Sequence, residues 1–247
     1  MAPSQADQNM HSLIKRHPLQ RLSSPSRGLS STLHVLGLAS FAYSFNYLTA
    51  NPNHINSSYG WHFQYLTIIG LFLATLTFIL GLLADITLSP SLFAVKNVLS
   101  MCSAPMEVLI STLYWGLRAI DPTLVVPAEL ELPLTSDLGF HAAPSILLLI
   151  DLLFLSPPWT ISVVPAVALS GVIAFAYWFW IEMCYQHNGF YPYPLFDLLD
   201  TSQRIGLFAG SAVVMAGSTV VLKWLYGRVN GLGMKAVDQP GRMRKAA

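Results

Sequence analysis

Two polar side chains, Thr67 and His141, could carry out chemistry in this otherwise apolar chain. A threonine hydroxyl is a weak nucleophile at neutral pH, and it attacks a carbonyl carbon only when a neighbouring base removes its proton. Histidine is the side chain that most often serves as this base. Within hydrogen-bond reach of each other, the two residues could serve as a nucleophile and a base, whereas taken singly each is more often a structural residue of a membrane helix.

The elements that must position these residues are membrane helices. Of the 247 residues, 53% are hydrophobic and 10% are charged, which is too apolar for a single soluble core. Apolar runs of about 18 or more residues are long enough to cross a bilayer core of about 30 Å, where a helix satisfies its own backbone hydrogen bonds. The sequence predicts an all-α bundle of six transmembrane helices, covering Thr32 to Leu48, Phe63 to Ile86, Val95 to Ile120, Leu138 to Leu155, Thr160 to Tyr185 and Ile205 to Tyr226.

The distribution of basic residues predicts the orientation of this bundle. With six spans, all of the 13 Lys and Arg residues except Arg118 and Arg204 lie on the side that holds both termini. Because basic residues favour the cytoplasmic side, both termini are expected there. The first outer loop carries an Asn56-Ser57-Ser58 glycosylation acceptor, consistent with a lumenal or external position. The net charge of +1 gives no indication of a nucleic-acid partner.

The spans form one predicted domain between two tails. Residues 1–30 are polar, basic and rich in Ser and Pro, which favours a disordered tail. Residues 31–227 form the predicted six-helix catalytic domain, and residues 228–247 form a basic cytoplasmic tail. Cys102 and Cys184 lie inside predicted spans, which supports neither a disulfide framework nor a CxxC metal site. A multi-pass chain without a further address signal is expected in the endoplasmic reticulum, with the plasma membrane as the alternative.

Thr67 and His141 fall at matching depths in their predicted spans. Thr67 lies four residues into the second span, about 6 Å below its outer end, and His141 lies three residues into the fourth, about 4.5 Å below. Five polar residues that could support them lie near the same level: Asn46, Arg118, Asp137, Glu182 and His187. Asp137 precedes His141 by four residues, so the two share a helix face and the carboxylate could orient the imidazole.

Less specific interpretations remain open for each of these residues. A threonine in a membrane helix commonly bonds back to a carbonyl of the preceding turn, and a histidine at this depth is often interfacial. The supporting residues could equally stabilise helix ends. Glu107 and Asp151 lie deeper, near mid-membrane, where a structural role is favoured. A transporter or lipid-binding scaffold, in which the polar layer is a binding vestibule, is the main alternative function.

A metal-dependent lipid hydrolase is a second alternative. Four histidines would supply its ligands on the outer side: His54, His62, His141 and His187. Their spacing is irregular and matches no metal motif, so neither a metal nor another cofactor is predicted.

Three short motifs resemble the androgen-induced and androgen-dependent-TFPI-regulating proteins. They are Tyr65-Leu66-Thr67 at the start of the second span, Phe140-His141 with Pro144 in the fourth, and the run from His187 to Pro194 after the fifth. The resemblance covers roughly residues 32 to 226 in the same order. Two positions depart from the family's pattern: Gln64, where a basic residue is expected, and Asp151, where Glu is common.

This resemblance implies a multispan membrane threonine hydrolase that cleaves fatty acid esters of hydroxy fatty acids. It places the family's nucleophilic threonine at Thr67 and its catalytic histidine at His141. The implied substrate is a lipid ester with long fatty acyl chains, and membrane lipids are the other expected partners. Acyl-chain preference and oligomeric state cannot be deduced from these residues.

Overall fold

The computed structural model describes residues 17–127 and 130–231, and this part of the chain is helical with no β-strand. Four short 3₁₀ turns connect its helices, at His54–Ser57, Trp61–Gln64, Pro122–Leu124 and Pro194–Leu198. The seven α-helices are α1 Leu29–Ala50, α2 Leu66–Thr87, α3 Pro90–Ile120, α4 Leu134–His141, α5 Ala143–Ile150, α6 Val163–Asn188 and α7 Thr201–Asn230.

Several of the helix ends follow from local sequence. α3 begins with Pro90 at a position that needs no backbone N–H, and the Ser89 side chain accepts from the N–H of Leu92. α7 begins with a capping box in which the Asp200 side chain accepts from the N–H of Gln203. α6 ends at Gly189, whose φ of 74° lies in the left-handed region that glycine adopts without strain.

The structure confirms an all-helical, multi-pass membrane protein. In the described residues, α2, α3, α6 and α7 are long and apolar enough to cross a membrane, and the bent pair of α4 with the helix that follows adds a fifth span if it is counted as one. α1 has 22 residues, so it is long enough to cross, but it is not apolar enough to be among these candidates. The count of six spans and the side of the termini stay predictions.

The predicted fourth span, Leu138 to Leu155, is a broken helix. α4 ends at His141, and Ala143 begins α5 at a bend of 45°. Pro144 explains the break, because proline has no N–H to donate and its ring clashes with the carbonyl four residues earlier. α5 continues into a π-helical turn at Asp151–Leu155, a rare geometry that often accompanies functional or specialised sites.

The helices pack around α2 and α3, which run against each other. α1 packs on α2, α7 packs on α3, and α6 packs on α7. α1 approaches α2 closely at Gly37, where an added Cβ would lie 2.3 Å from the Phe78 ring. Phe78 also meets Phe41 edge to face at 5.2 Å between ring centroids. The two ends of the bundle are called the pocket end and the terminal end. The pocket end is the end where α2 begins, and the terminal end is the end where the chain enters α1 and leaves α7.

Four fully buried ionisable residues meet at the terminal end and are called the charge cluster: His34, Asp85, Lys96 and Asp151. His34 Nδ1 lies 2.7 Å from Asp85 Oδ2, and His34 Nε2 lies 3.3 Å from Asp151 Oδ1. Lys96 forms an ion pair with Asp151. The charge cluster therefore ties α1, α2 and α3 to the π-helical turn. Lys96, which the orientation argument assigns to the inner membrane side, is buried here.

The segment 17–28 covers the charge cluster. The Ser26 backbone N–H donates to Asp85 Oδ1 at 2.8 Å, and the Leu22 N–H donates to the Phe154 carbonyl at 2.9 Å. Gln20 and Ser24 are buried. The sequence assigns residues 1–30 to a disordered tail, yet residues 17–28 pack on the bundle because their polar groups satisfy buried partners. The rest of that tail, 1–16, and residues 232–247 of the C-terminal tail lie outside the described residues.

Candidate active site

Thr67 lies in the first turn of α2 at the pocket end. Tyr65, extended at φ −85° and ψ 130°, precedes the helix, so the N–H groups of Leu66 and Thr67 have no partner within it. The Tyr193 phenol interacts with these two N–H groups and with the Thr67 side chain. Burial raises the pKa of Tyr193, so its O–H stays protonated and can donate. A buried hydroxyl therefore stands beside a neutral hydrogen-bond donor.

His141 is held at the end of α4 from both its ring and its backbone. Its Nδ1 lies 2.8 Å from Asp137 Oδ1, as the spacing of four residues allows. Its carbonyl oxygen, which the break after α4 leaves exposed to other donors, accepts from Ser111 Oγ at 2.6 Å and from Trp115 Nε1 at 3.1 Å. Because Nδ1 donates to the carboxylate, we assign the free lone pair to Nε2, the nitrogen that acts as base in catalytic triads.

The His141 ring stacks on Tyr114, with 3.4 Å between ring centroids and 4° between planes. Arg118, one turn further along α3, donates to the Tyr114 hydroxyl at 3.2 Å and lies 3.8 Å from Asp137 Oδ2. The Asp137 carboxylate thus bridges the imidazole and the guanidinium. Two of the predicted supporting residues, Asp137 and Arg118, are brought together around His141.

Thr67 and His141 line one pocket, called the polar pocket. Its empty volume is about 680 Å³, part of it open to the outside, and its other polar lining includes Asn51, Asn53 and His62. Among the described residues no hydrogen bond joins Thr67 to His141 directly. Hydrogen bonds between catalytic groups are often long in empty sites and tighten when substrate binds. The polar pocket therefore presents a hydroxyl and an imidazole to the same space, and these are the two groups that acyl transfer by a threonine requires.

A second space, called the apolar pocket, lies on the other side of Thr67 between α3, α6 and α7. Its empty volume is about 890 Å³, and none of the described residues that line it is charged, an amide or a histidine. Four residues line both pockets and are called the partition: Thr67, Tyr114, Val125 and Tyr193. The candidate nucleophile therefore faces two spaces of different polarity.

The other three predicted supporting residues lie away from both pockets. Asn46 is exposed on α1. Glu182 accepts from the Tyr191 hydroxyl at 3.0 Å, and Tyr191 in turn accepts from Arg204 at 2.6 Å, so this carboxylate belongs to a separate network between α6 and α7. His187 is exposed and stacks on Tyr59 at 4.1 Å between ring centroids. The structure brings none of these three to His141.

The histidines proposed as metal ligands are dispersed. Within the described ranges, no three His, Cys, Asp or Glu side chains are grouped as a metal ion would require. His54 packs edge to face on Phe190, at 5.5 Å between ring centroids. His62 is buried with its Nε2 3.2 Å from Asn56 Oδ1, and burial lowers the pKa of His62 to about 4.

Asn56 itself is held by the backbone. Its Nδ2 donates to the Leu48 carbonyl at 3.1 Å, and its Oδ1 accepts from the Asn53 N–H at 2.9 Å. Asn56 is the third residue of a 3₁₀ turn whose N-cap is Asn53, and its side chain completes the capping box and closes the end of α1.

Sequence reasoning missed Tyr193 as a site residue, because tyrosines near a membrane boundary are more often interfacial than catalytic. It also missed the charge cluster, of which it singled out only Asp151 by depth. The same depth comparison, applied to the opposite ends of the spans, would place His34, Asp85 and Lys96 near one another.

Fold and site together define a class, a helical multi-pass membrane protein with a buried Thr, His and Asp at one end. A family model described as FAR-17a/AIG1-like protein matches residues 29–227. The chain is also 35% identical over 206 residues to a membrane protein of Schizosaccharomyces pombe named UPF0641, covering 82% of this chain and 92% of that protein. No solved structure matches. This chain belongs to the FAR-17a/AIG1-like family, and the resemblance predicted from its motifs is confirmed.

Proposed function

We propose that this protein is an intramembrane lipid esterase that hydrolyses fatty acid esters of hydroxy fatty acids, with Thr67 as nucleophile and His141 as base. The observation that carries this proposal is that both side chains line the polar pocket while Asp137 holds His141 Nδ1 at 2.8 Å. A hydroxyl, an imidazole and a carboxylate in this order are the components of acyl-transfer catalysis.

In the acylation step, His141 Nε2 takes the proton of Thr67 Oγ1 as this oxygen attacks the ester carbonyl carbon. A bond forms between Oγ1 and that carbon, and the tetrahedral intermediate carries negative charge on the former carbonyl oxygen. The bond to the alcohol oxygen then breaks, and His141 gives its proton to that oxygen. An acyl-threonine remains, and the hydroxy fatty acid leaves.

In the deacylation step, His141 takes a proton from water, and the resulting hydroxide attacks the acyl-threonine. The bond between the acyl carbon and Oγ1 breaks, Thr67 recovers its proton from His141, and the fatty acid leaves. Asp137 stabilises the imidazolium that forms in both steps.

The Tyr193 phenol is placed to stabilise the tetrahedral intermediate. It interacts with Thr67, lies on the partition, and keeps its proton because burial raises its pKa. A neutral donor in a dry site stabilises a developing oxyanion strongly, commonly by about 3 kcal/mol. Arg118 acts at one remove, through the Asp137 carboxylate and the Tyr114 hydroxyl.

We place this active site beneath the non-cytoplasmic face of the endoplasmic reticulum membrane. In this arrangement α1 and the bent pair of α4 and α5 are spans alongside the four apolar helices, which makes six. An even number of spans returns the C-terminus to the cytoplasmic side, where the basic residues of both tails are expected.

The experiment compares Thr67→Ala, Thr67→Ser and His141→Ala in purified protein assayed for ester hydrolysis in liposomes. We expect Thr67→Ala and His141→Ala to lose at least about 10³-fold in kcat and Thr67→Ser to keep partial activity, because serine retains a nucleophilic hydroxyl. A fluorophosphonate probe should label the wild type and not Thr67→Ala. Thr75→Ala is the matched control, since Thr75 Oγ1 donates to the Leu71 carbonyl in the same helix at 2.7 Å and lines neither pocket.

The rival function, a lipid transporter or scaffold, predicts the opposite outcome. If Thr67→Ala hydrolysed the ester as fast as the wild type, or if the wild type took up no probe and hydrolysed nothing, the esterase proposal would be wrong. Retained lipid binding in that case would favour the rival.

A further inference from the structure

The two pockets that meet at Thr67 differ in which reacting group they contain. His141 lines only the polar pocket, whereas Thr67 lines both. An ester has two sides, an acyl chain and an alcohol part, and the proton that His141 takes from Thr67 must pass to the alcohol oxygen when the ester bond breaks. The alcohol oxygen must therefore lie on the His141 side of the partition.

We infer that the ester binds across the partition, with its acyl chain in the apolar pocket and its alcohol part, together with any polar or ionised group it carries, in the polar pocket. This inference rests on the proposed esterase function and names the orientation of its substrate.

The length of the apolar pocket fits a long acyl chain. Its lining extends along α3 from Leu117 to Met106, a separation of eleven helical steps, which corresponds to about 16 Å along the helix axis. It ends near Ser170, Ala212 and Met215 on the neighbouring helices. The pocket therefore reaches from the level of the partition towards the centre of the bundle.

Beyond the partition, the hydroxyl groups that line the apolar pocket are already hydrogen-bonded. Ser170 Oγ donates to the Ala166 carbonyl at 2.9 Å, and Ser211 Oγ donates to the Leu207 carbonyl at 2.8 Å. Tyr177 donates to the Gln64 carbonyl at 2.9 Å. A charged or strongly polar substituent would be desolvated there without a partner, which strongly disfavours its binding. The pocket selects an unsubstituted hydrocarbon chain.

The polar pocket offers the partners that the apolar pocket lacks. Asn51, Asn53 and His62 line it together with His141, and part of the space is open to the outside. An alcohol part that carries a carboxyl group can hydrogen-bond to these side chains and keep contact with water.

The test varies the two sides of the ester separately. Ala212→Leu narrows the apolar pocket, and its matched control is Ala209→Leu, at an exposed position of the same helix that lines neither pocket. Leu132→Trp narrows the polar pocket. Each variant is assayed on two ester series: one with a constant hydroxy fatty acid and acyl chains of increasing length, the other with a constant short acyl chain and alcohols of increasing size.

We expect Ala212→Leu to lower kcat/KM for long-acyl esters by about tenfold or more while short-acyl esters react as with the wild type, because one or two methylene groups of lost space have effects of this size. Leu132→Trp should instead lower kcat/KM for esters of large alcohols more than for esters of small alcohols. Full activity on short-acyl esters shows that Ala212→Leu is folded. The reversed pattern, or equal losses across both series with Ala209→Leu unaffected, would overturn the orientation while leaving the esterase in place. A wild type that hydrolyses no ester in either series would overturn the proposed function itself and the orientation with it.

Discussion

The two ends of this bundle both bury ionisable side chains, but they differ in how completely those side chains are satisfied. In the charge cluster, Asp85 accepts from Ser26, Ser30 and His34, and Asp151 is bonded to His34 and Lys96. At the pocket end, Thr67 and His141 face empty volume and are not joined by a hydrogen bond within the described chain. A saturated network holds helices in place, whereas polar groups beside open space can still form hydrogen bonds to another molecule.

The charge balance of the two ends follows the same difference. His34 has a carboxylate at each ring nitrogen, so it can donate to both only when it is doubly protonated, and with Lys96 it would then balance the two Asp residues. His141 has a carboxylate at Nδ1 alone, which leaves the other nitrogen for proton transfer. The number of carboxylates around each ring thus separates a structural histidine from a candidate base.

The largest expected effect tests the pocket end. Asp137→Asn should lower kcat for ester hydrolysis by about 10²- to 10⁴-fold, because an amide neither fixes the tautomer of His141 nor stabilises its imidazolium. The thermal unfolding temperature of Asp137→Asn should stay close to that of the wild type. Asp197→Asn, an exposed acid in the loop before α7, is the control and should leave kcat unchanged. If Asp137→Asn kept the wild-type kcat, Asp137 would have no part in catalysis and would only stabilise the start of α4.

The second effect tests the charge cluster. Lys96→Met should destabilise the protein by about 3–5 kcal/mol, because Asp151 would remain buried without its cation. The double variant Lys96→Met with Asp151→Leu should recover much of this loss, since apolar replacement of a buried pair is often tolerated. Unfolding in mixed micelles measures both free energies. If Lys96→Met unfolds like the wild type while losing ester hydrolysis, the charge cluster is a functional site and the contrast between the two ends fails.

The smallest effect concerns His62, which lines the polar pocket. The unfolded chain binds a proton here near the ordinary pKa of 6.5, whereas burial lowers the pKa of the folded protein to about 4. Protonation therefore favours the unfolded state, and the contribution of this residue to stability is lost as pH falls from about 6.5 to about 4. His62→Gln should make the unfolding temperature less dependent on pH over this window. Equal slopes for the wild type and His62→Gln would contradict the prediction.

Part of this arrangement was accessible from the sequence because membrane helices have fixed rise and similar length. Counting residues from the ends of two spans is enough to predict that Thr67 and His141 share a level, and four-residue spacing is enough to predict that Asp137 and His141 share a face. The family resemblance, based on short motifs, is confirmed for residues 29–227. The catalytic roles of Thr67 and His141 stay predictions.

Other features depend on tertiary geometry that residue counting does not contain. The path of the chain after Gly189 decides that Tyr193 reaches Thr67, and rotation of the helices decides that Glu182 faces Tyr191 rather than His141.

Glu107 and Asp151 lie at similar predicted depths, yet Asp151 joins the charge cluster while both carboxyl oxygens of buried Glu107 lack a hydrogen-bond partner among the described residues. Depth along a helix does not determine the direction in which a side chain points.

The role of Asn56 in closing the end of α1 affects how the topology of this protein can be mapped. An oligosaccharide on Nδ2 would compete with the bond from this nitrogen to the Leu48 carbonyl, and the Asn53 N–H holds Oδ1 of the same amide in place, so the folded protein is a poor substrate for the transferase. A missing sugar at Asn56 consequently says nothing about which compartment the loop faces. Reporter acceptor sites engineered into exposed loop positions, or cysteine accessibility to an impermeant reagent, would be needed to decide it.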